Sequence, residues 1–241
     1  MKILAIETAT SICSAAILED EQCISERSLN EPHIHAEKLL PMIDEALREC
    51  HLTAKSINII SVSIGPGSFT GLRIGLSTAK GLAYARNIPV IPVNTLEGLA
   101  WRAVNSIHKT RFDLILPMID ARRNEIFTAG YRISSMKLDE LIPCQIIHIE
   151  KLFQLLEGFQ KILLMGDGVD KFEKYCQQFL PDILYRFIIP PLNERLCSAS
   201  SIGKVGLIKY KKREIANLSS LEPRYIKDFQ TLVKTQHISI N

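Results

Sequence analysis

The sequence predicts an α/β protein of two related lobes, the second abbreviated. Three observations carry this. At 241 residues, 46% of them apolar, the chain suffices for one large domain or two compact lobes. The first half reads as three strands in hairpins followed by helix, strand, helix, strand, helix. A new strand set begins at Phe112, so the second half restarts as the first did. The lobes are expected over residues 1–108 and 109–241. The second would carry a C-terminal helix and a tail that is free to return to the first lobe.

Taken in order, Ile3 to Ile6 reads as a first strand, Ser11 to Leu18 as a second and Cys23 to Leu29 as a third. Glu19-Asp20-Glu21-Gln22 is a polar hairpin between the last two. The turn Glu7-Thr8-Ala9-Thr10-Ser11 is rich in hydroxyls and backbone donors. It has two readings: a turn that holds a phosphate, or a hairpin whose hydroxyls satisfy their own backbone. His33 and His35 sit among acids, but two ligands do not close a zinc site. A surface loop leading into a helix is the expectation there.

That helix runs from about Ala36 to Cys50. Leu39, Ile43, Ala46, Leu47 and Cys50 share one face; Glu37, Asp44, Glu45, Arg48 and Glu49 share the other. Pro41 removes one backbone bond and bends it. Met42 lies off the apolar stripe, and an exposed methionine there points to a partner surface.

The strand Ile57 to Ile64 is β-branched and apolar, as a buried strand should be. Gly65-Pro66-Gly67 ends it, and Ser68 caps a helix that continues to about Arg86. Strand, tight turn and helix together put a loop at the carboxyl edge of a sheet, where chemistry is usually found. Leu72, Leu76, Ala79 and Ala83 form one apolar stripe of the helix. Gly71, Gly75, Thr78 and Leu82 form a second, and Ile74, Thr78, Gly81 and Ala85 a third. Only Arg73, Ser77, Lys80 and Tyr84 make a polar edge. A helix apolar most of the way round is covered on more than one side. Its glycines at 71, 75 and 81 forgo about 3 kcal/mol of helix propensity relative to alanine. Close approach of another backbone would offset that loss, either within the chain or from a partner.

Further on, Ile88 to Val93 reads as a strand and Thr95 to Ile107 as a helix. Leu114 to Ile119 and Ile126 to Ile133 are strands on either side of the polar turn Asp120 to Glu125. Another strand lies near Cys144 to Ile149, and one from Lys161 to Met165 ends in Gly166-Asp167-Gly168. Helices follow at about Val169 to Phe179 and Ser198 to Lys211. The polar tail Leu221 to Ile226 is expected to dock along a surface.

The net charge of +3 is mild and neither demands nor excludes nucleic acid. Six scattered cysteines without a CxxC pair read as free thiols of a reducing compartment. The first strand meets Glu7 too early for a signal peptide, and no apolar run of about 20 residues exists. A cytoplasmic protein without a membrane span is the expectation.

Ile3 to Thr10, His35 to Ile43, Gly65 to Gly81, Ile119-Asp120-Ala121-Arg122 and Glu222-Pro223-Arg224-Tyr225 resemble the TsaB family over nearly the whole chain. The run Gly-Pro-Gly-Ser-Phe-Thr-Gly-Leu-Arg is the most specific part. The resemblance implies an actin-like ATPase fold of two RNase H-like lobes. It also implies a non-catalytic subunit that supports TsaD, together with TsaE, in forming threonylcarbamoyladenosine on tRNA. Partners would then be TsaD and TsaE, with tRNA reached only through the complex and a homodimer formed when the chain is alone.

TsaD-type proteins hold a metal with a His-x-x-x-His pair on a helix after a strand. The corresponding positions here are Thr95 and Leu99, and neither suits a transition metal. No metal and no catalytic residue is therefore expected. The resemblance leaves weak ATP or ADP binding open, with Thr8, Thr10 and Asp120 as candidates. It also places helix 69–86 in an interface with TsaD, joined by helix 36–50, with Leu39, Ile43, Gly71, Leu72 and Gly75 as contact residues. Two other readings compete: a free-standing actin-like ATPase or small-molecule kinase, and a metallopeptidase. For the basic runs Lys209 to Arg213 and Arg122-Arg123, tRNA contact competes with solvated surface.

Overall fold

The computed structural model describes residues 1–106, 111–134 and 137–226. The end expected for the third long helix at Ile107, the lobe boundary at 108/109 and the tail beyond Ile226 lie outside the described residues. Strands β1 (Lys2–Glu7), β2 (Ile12–Glu19) and β3 (Gln22–Asn30) form an antiparallel run. Helix α1 (His35–Glu49) leads to β4 (Ile59–Ser63), which lies parallel to β1, and α2 (Phe69–Arg86) leads to β5 (Val90–Val93), parallel to β4. The sheet order is β3-β2-β1-β4-β5. Helix α3 (Thr95–Ser106) closes this half.

The second half repeats the plan. It contains β6 (Leu114–Asp120), β7 (Glu125–Ser134), β8 (Lys137–His148), α4 (Ile149–Leu155), β9 (Ile162–Met165), α5 (Gly168–Phe179) and β10 (Phe187–Ile188). The order is β8-β7-β6-β9-β10, again two antiparallel pairings followed by two parallel ones. Each lobe therefore has five strands in the same arrangement. The abbreviation falls on β10, with two residues, and on α4, with seven. A short α6 (Leu192–Arg195) and then α7 (Ala199–Lys211) follow.

The last helix of each half covers the other half's sheet. Leu96, Leu99, Ala100 and Ala103 of α3 pack with Ile115, Ile119, Phe127 and Leu163 of the second sheet. Ala199 and Leu207 of α7 pack with Ile3, Ala5, Leu18, Ile59 and Ile91 of the first. Val93, Trp101, Ile202 and Val205 form the seam between the two helices. The expected division at 109–241 is corrected accordingly: α7, assigned by chain order to the second lobe, is a layer of the first. Residues 214–225 follow it there. Ala216 N–H donates to the Val90 carbonyl, and Leu218 and Leu221 pack on the core under α1 and α2.

Smaller corrections follow from burial. His35 opens α1 rather than sitting in a surface loop; it is buried, and its Nε2 lies 3.2 Å from the Ile12 carbonyl, to which it donates. Met42 is buried in the same core and presents no partner surface. The strand expected near Cys144 begins at Lys137, and Ile149 starts a helix. The first part of β8 carries Lys137, Asp139 and Glu140, the charged sequence of a sheet edge rather than of a half-buried strand. All six cysteines are free. Among the described residues no helix is long and apolar enough to cross a membrane.

The α7 layer fits closely: a Cβ on Gly206 would lie 1.9 Å from Ser61 Oγ and 2.6 Å from Ser61 Cβ. Gly81 on α2 has nothing within 4 Å. Gly206→Ala should therefore lower unfolding free energy in urea by about 1–3 kcal/mol through overpacking. Gly81→Ala should raise it by up to about 1 kcal/mol through helix propensity. Equal effects of the two substitutions would show that α7 is not seated on β4.

Candidate functional site

The carboxyl ends of the central strands of the two sheets come close together, so that the charge of Asp167 acts on Glu7, and acids stand at three of those ends. Glu7 ends β1, Asp120 ends β6, and Asp167 follows β9. Glu7 is 1% exposed. Its Oε1 accepts the Ala9 N–H at 2.6 Å and the Ser63 hydroxyl at 3.1 Å. Burial pushes its pKa up to about 7; those hydrogen bonds oppose the rise, and the charge of Asp167 adds to it. Asp167 is also raised, chiefly by burial, although the Asp120 N–H donates to its Oδ1 at 3.1 Å. Cys197 sits among them, its thiol raised by burial first and by Glu7 and Asp167 next. Asp120 is more open. Its Oδ1 accepts the Arg122 N–H at 2.7 Å and pairs with the Lys171 ammonium.

Three backbone donors of the β1–β2 turn are engaged within the protein. Thr8 N–H donates to Ser63 Oγ at 3.4 Å, Ala9 N–H to Glu7, and Ile12 N–H to Thr10 Oγ1 at 3.2 Å. The Thr8 side chain is fully buried behind the turn, its Oγ1 directed at Gly75 of α2 and without a hydrogen-bond partner. Of the candidate phosphate residues, Thr8 thus faces the helix, Thr10 caps its own turn and Asp120 is held by Lys171. Each of the three expected nucleotide residues faces a neighbour of its own in the folded chain.

The metal expected of TsaD-type helices does not fit here. Asn94 caps α3, its Oδ1 accepting from Leu96 N–H at 2.8 Å and Glu97 N–H at 3.3 Å. Thr95 and Leu99, one turn apart behind it, are buried, and Leu99 packs against Gly166. Leu99 has no lone pair to give, and a single threonine hydroxyl is a poor ligand for a transition metal. Among the described residues, no three His, Cys, Asp or Glu are grouped to hold a metal.

Helix α2 begins where the sequence places it, with Ser68 Oγ accepting the Gly71 N–H at 3.2 Å. Gly65 has φ +116°, and a Cβ there would lie 2.6 Å from the Arg224 carbonyl. Cβ atoms on Gly71 and Gly75 would lie 2.1 Å from the Thr8 carbonyl and 2.2 Å from Thr8 Oγ1. The glycine notch therefore receives this chain's own turn. Leu72, Leu39 and Ile43 are 1%, 1% and 4% exposed. All five residues expected to touch a partner are buried within the folded chain, Ile43 at the edge of the groove described next. What faces outward is the third stripe with its polar edge: Thr70, Arg73, Ser77, Gly81, Tyr84 and Ala85 are exposed. Beside it, Leu40, Ile43, Leu47, Ile57, Leu82 and Ile88 line a shallow apolar groove between α1 and α2.

The tail contributes contacts that sequence reading located only as a surface. Arg224 N–H donates to the Ile64 carbonyl at 2.6 Å. The Tyr225 ring lies 4.9 Å from that of Phe69, and Arg73 Nε donates to the Tyr225 hydroxyl at 3.0 Å. The Glu222-Pro223-Arg224-Tyr225 run was the available signal.

The sign of the Glu7 shift sets a pH dependence. Between the ordinary value of 4.5 and about 7, the unfolded chain has released this proton while the folded chain keeps it. Stability from this group is therefore greatest at the acid end and falls as pH rises to about 7, by on the order of 3 kcal/mol. Glu7→Gln imitates the protonated acid and keeps both hydrogen bonds. It should match wild type near pH 4.5 and be more stable than wild type near pH 8 in urea unfolding. A difference that does not change with pH would show that this carboxyl is not desolvated.

Comparison with known proteins agrees with this geometry. The family model described as TsaD: tRNA N6-adenosine threonylcarbamoyltransferase matches residues 30–233. The tRNA threonylcarbamoyladenosine biosynthesis protein TsaB of Bacillus subtilis (strain 168) is 29% identical over 229 residues, 94% of each chain. The protein of that name from Buchnera aphidicola subsp. Baizongia pistaciae (strain Bp) is 30% identical, covering 94% of this chain and 98% of its own. The solved structure of YeaZ from Pseudomonas aeruginosa superposes with a TM-score of 0.76 at 24% identity, over 93% of this chain and 99% of that one, and bears on the fold: two RNase H-like lobes of the actin-like ATPase type. With the family model spanning most of the sequence and relatives aligned over nearly their full length, the chain belongs to the TsaB family.

Proposed function

We propose that this chain is a non-catalytic supporting subunit that binds TsaD and works with it and TsaE to form threonylcarbamoyladenosine on tRNA. Membership of the TsaB family ties it to tRNA threonylcarbamoyladenosine biosynthesis. The observation that carries the supporting role is the first turn of α3. Buried Thr95 and Leu99 occupy the positions where TsaD-type proteins hold their metal. The engaged N–H groups of Thr8, Ala9 and Ile12 in the β1–β2 turn support the same reading against a free-standing ATPase or kinase. ATP or ADP binding, if it occurs, is weak on this reading, because a phosphate would have to displace Glu7 and Thr10 from the backbone donors they already hold.

The docking face on this reading is the outer side of α2 with the groove beside α1. Leu40 is 55% exposed and Tyr84 85% exposed there, and a Cβ on Gly81 would meet nothing within 4 Å. Large apolar and tyrosine side chains at a depression are what a partner helix can bury. The same face is self-complementary enough in character to pair two copies when TsaD is absent.

Reconstitution tests the assignment. With TsaD, TsaE, tRNA and threonylcarbamoyl-adenylate, modification should depend on this chain; undiminished modification without it would sink the proposal. Gly81→Trp fills open space and should leave the fold intact while weakening capture of TsaD by at least about tenfold, about 1.4 kcal/mol. In sedimentation, the isolated chain should dimerise with rising concentration and Gly81→Trp should not. A variant that still binds TsaD and still dimerises normally would move the interface elsewhere.

A further inference from the structure

The β6–β7 hairpin has a feature that a supporting role leaves unused. Its tip holds Arg122 and Arg123 at φ 67° and 50°. Left-handed backbone crowds the β-carbon of an L-residue, so glycine or asparagine is the usual occupant. Here specific contacts hold the strained pair in place. Asp120 Oδ1 accepts the Arg122 N–H, and the Lys171 ammonium donates to the Arg123 carbonyl at 2.8 Å while pairing with Asp120. That pairing neutralises the acid beside the tip. Both arginines are exposed, and among the described residues neither guanidinium has an ion-pair partner. Lys174, one turn along α5 from Lys171, is exposed as well. The basic end of α7 is different. Lys209 is bound by Glu97 and Glu214, and Lys211 by Glu21. Lys212 and Arg213, also exposed, complete that end; at the hairpin two consecutive arginines are held on one tip by Asp120 and Lys171.

We propose that Arg122 and Arg123 bind the phosphate backbone of RNA, so that this chain itself touches the tRNA being modified; the identity of that RNA rests on the function proposed above. Guanidinium is a planar fork of donors that matches phosphate oxygens two at a time. Fixing the backbone of two consecutive arginines reduces the ordering that binding would otherwise demand. Such contacts carry no sequence information; they position an RNA that a partner reads.

The full chain, titrated with a tRNA transcript over a salt series, tests this. Arg122→Gly/Arg123→Gly removes both charges and suits left-handed backbone, so the fold is retained. Affinity at low salt should fall about tenfold, and the slope of log affinity against log salt should become shallower by about 1.4, the loss of two single-strand phosphate contacts. Arg122→Lys/Arg123→Lys keeps the charge and should keep the slope. Unchanged RNA affinity and slope in the glycine variant would overturn the proposal. So would a loss confined to ATP affinity, which would assign the arginines to a free nucleotide, or a loss confined to TsaD capture, which would assign them to a protein contact. Failure of the functional reading looks different: threonylcarbamoyladenosine would form without this chain, whatever the arginines do.

Discussion

The seating of the β1–β2 turn in the glycine notch of α2 is the contact on which the rest depends. The Thr8 carbonyl and hydroxyl occupy the space where side chains at 71 and 75 would be, and the Ser68 N–H donates to the Ala9 carbonyl at 2.6 Å. Two glycines inside a helix cost about 2 kcal/mol relative to alanine. That cost is offset because a buried turn must have its polar backbone groups satisfied at close range. The contact also sets the chemistry of the cleft. Once the turn is pressed against α2, Glu7 and Ser63 close around its N–H groups from the other side, and the helix is left with a single free face.

The lobes are tied by exchange rather than by a hinge alone. Helix α3 leaves the first sheet to cover the second, and α7 returns from the second to cover the first. Each crossing helix buries apolar residues against a sheet it does not follow in sequence. Moving one lobe relative to the other would therefore shear the α3–α7 seam at Trp101, Ile202 and Val205. The tail adds another tie, with Leu221 packed on the first core and Ile226 packed with the second.

Much of this was legible because strong local signals coincide. Helix α2 was read from Phe69 to Arg86 because Gly-Pro-Gly, a serine cap and a long apolar run agree. The repeated order of strands and helices carried the two lobes. What periodicity does not carry is the identity of the surface opposite a stripe. Gly71 and Gly75 were correctly marked for close approach, but their neighbour proved to be Thr8, more than sixty residues earlier in the chain. The same limit hid the layer to which α7 belongs, since chain order says nothing of a helix that crosses over. His35 was misjudged because a polar residue between acids resembles surface, while its actual partner is the carbonyl of Ile12 on another element. The beginning of β8, α4, β10 and α6 are short, or charged at an edge, and leave little period to read.

The carboxyl ends of the central strands combine a fold of the actin-like ATPase type with engaged backbone donors and buried acids. Phosphate at such a site needs free backbone donors and acids ionised enough to hold a cation beside it. Here the donors at Thr8, Ala9 and Ile12 are engaged by Ser63, Glu7 and Thr10. The acids at 7 and 167 are buried, and burial favours their neutral forms. A carboxyl that keeps its proton near neutrality while fixing a backbone turn acts as an internal strut. On the proposed function this region is a seam between the two lobes, and the outer face of α2 and the hairpin tip at Arg122 and Arg123 are the surfaces proposed to meet other molecules.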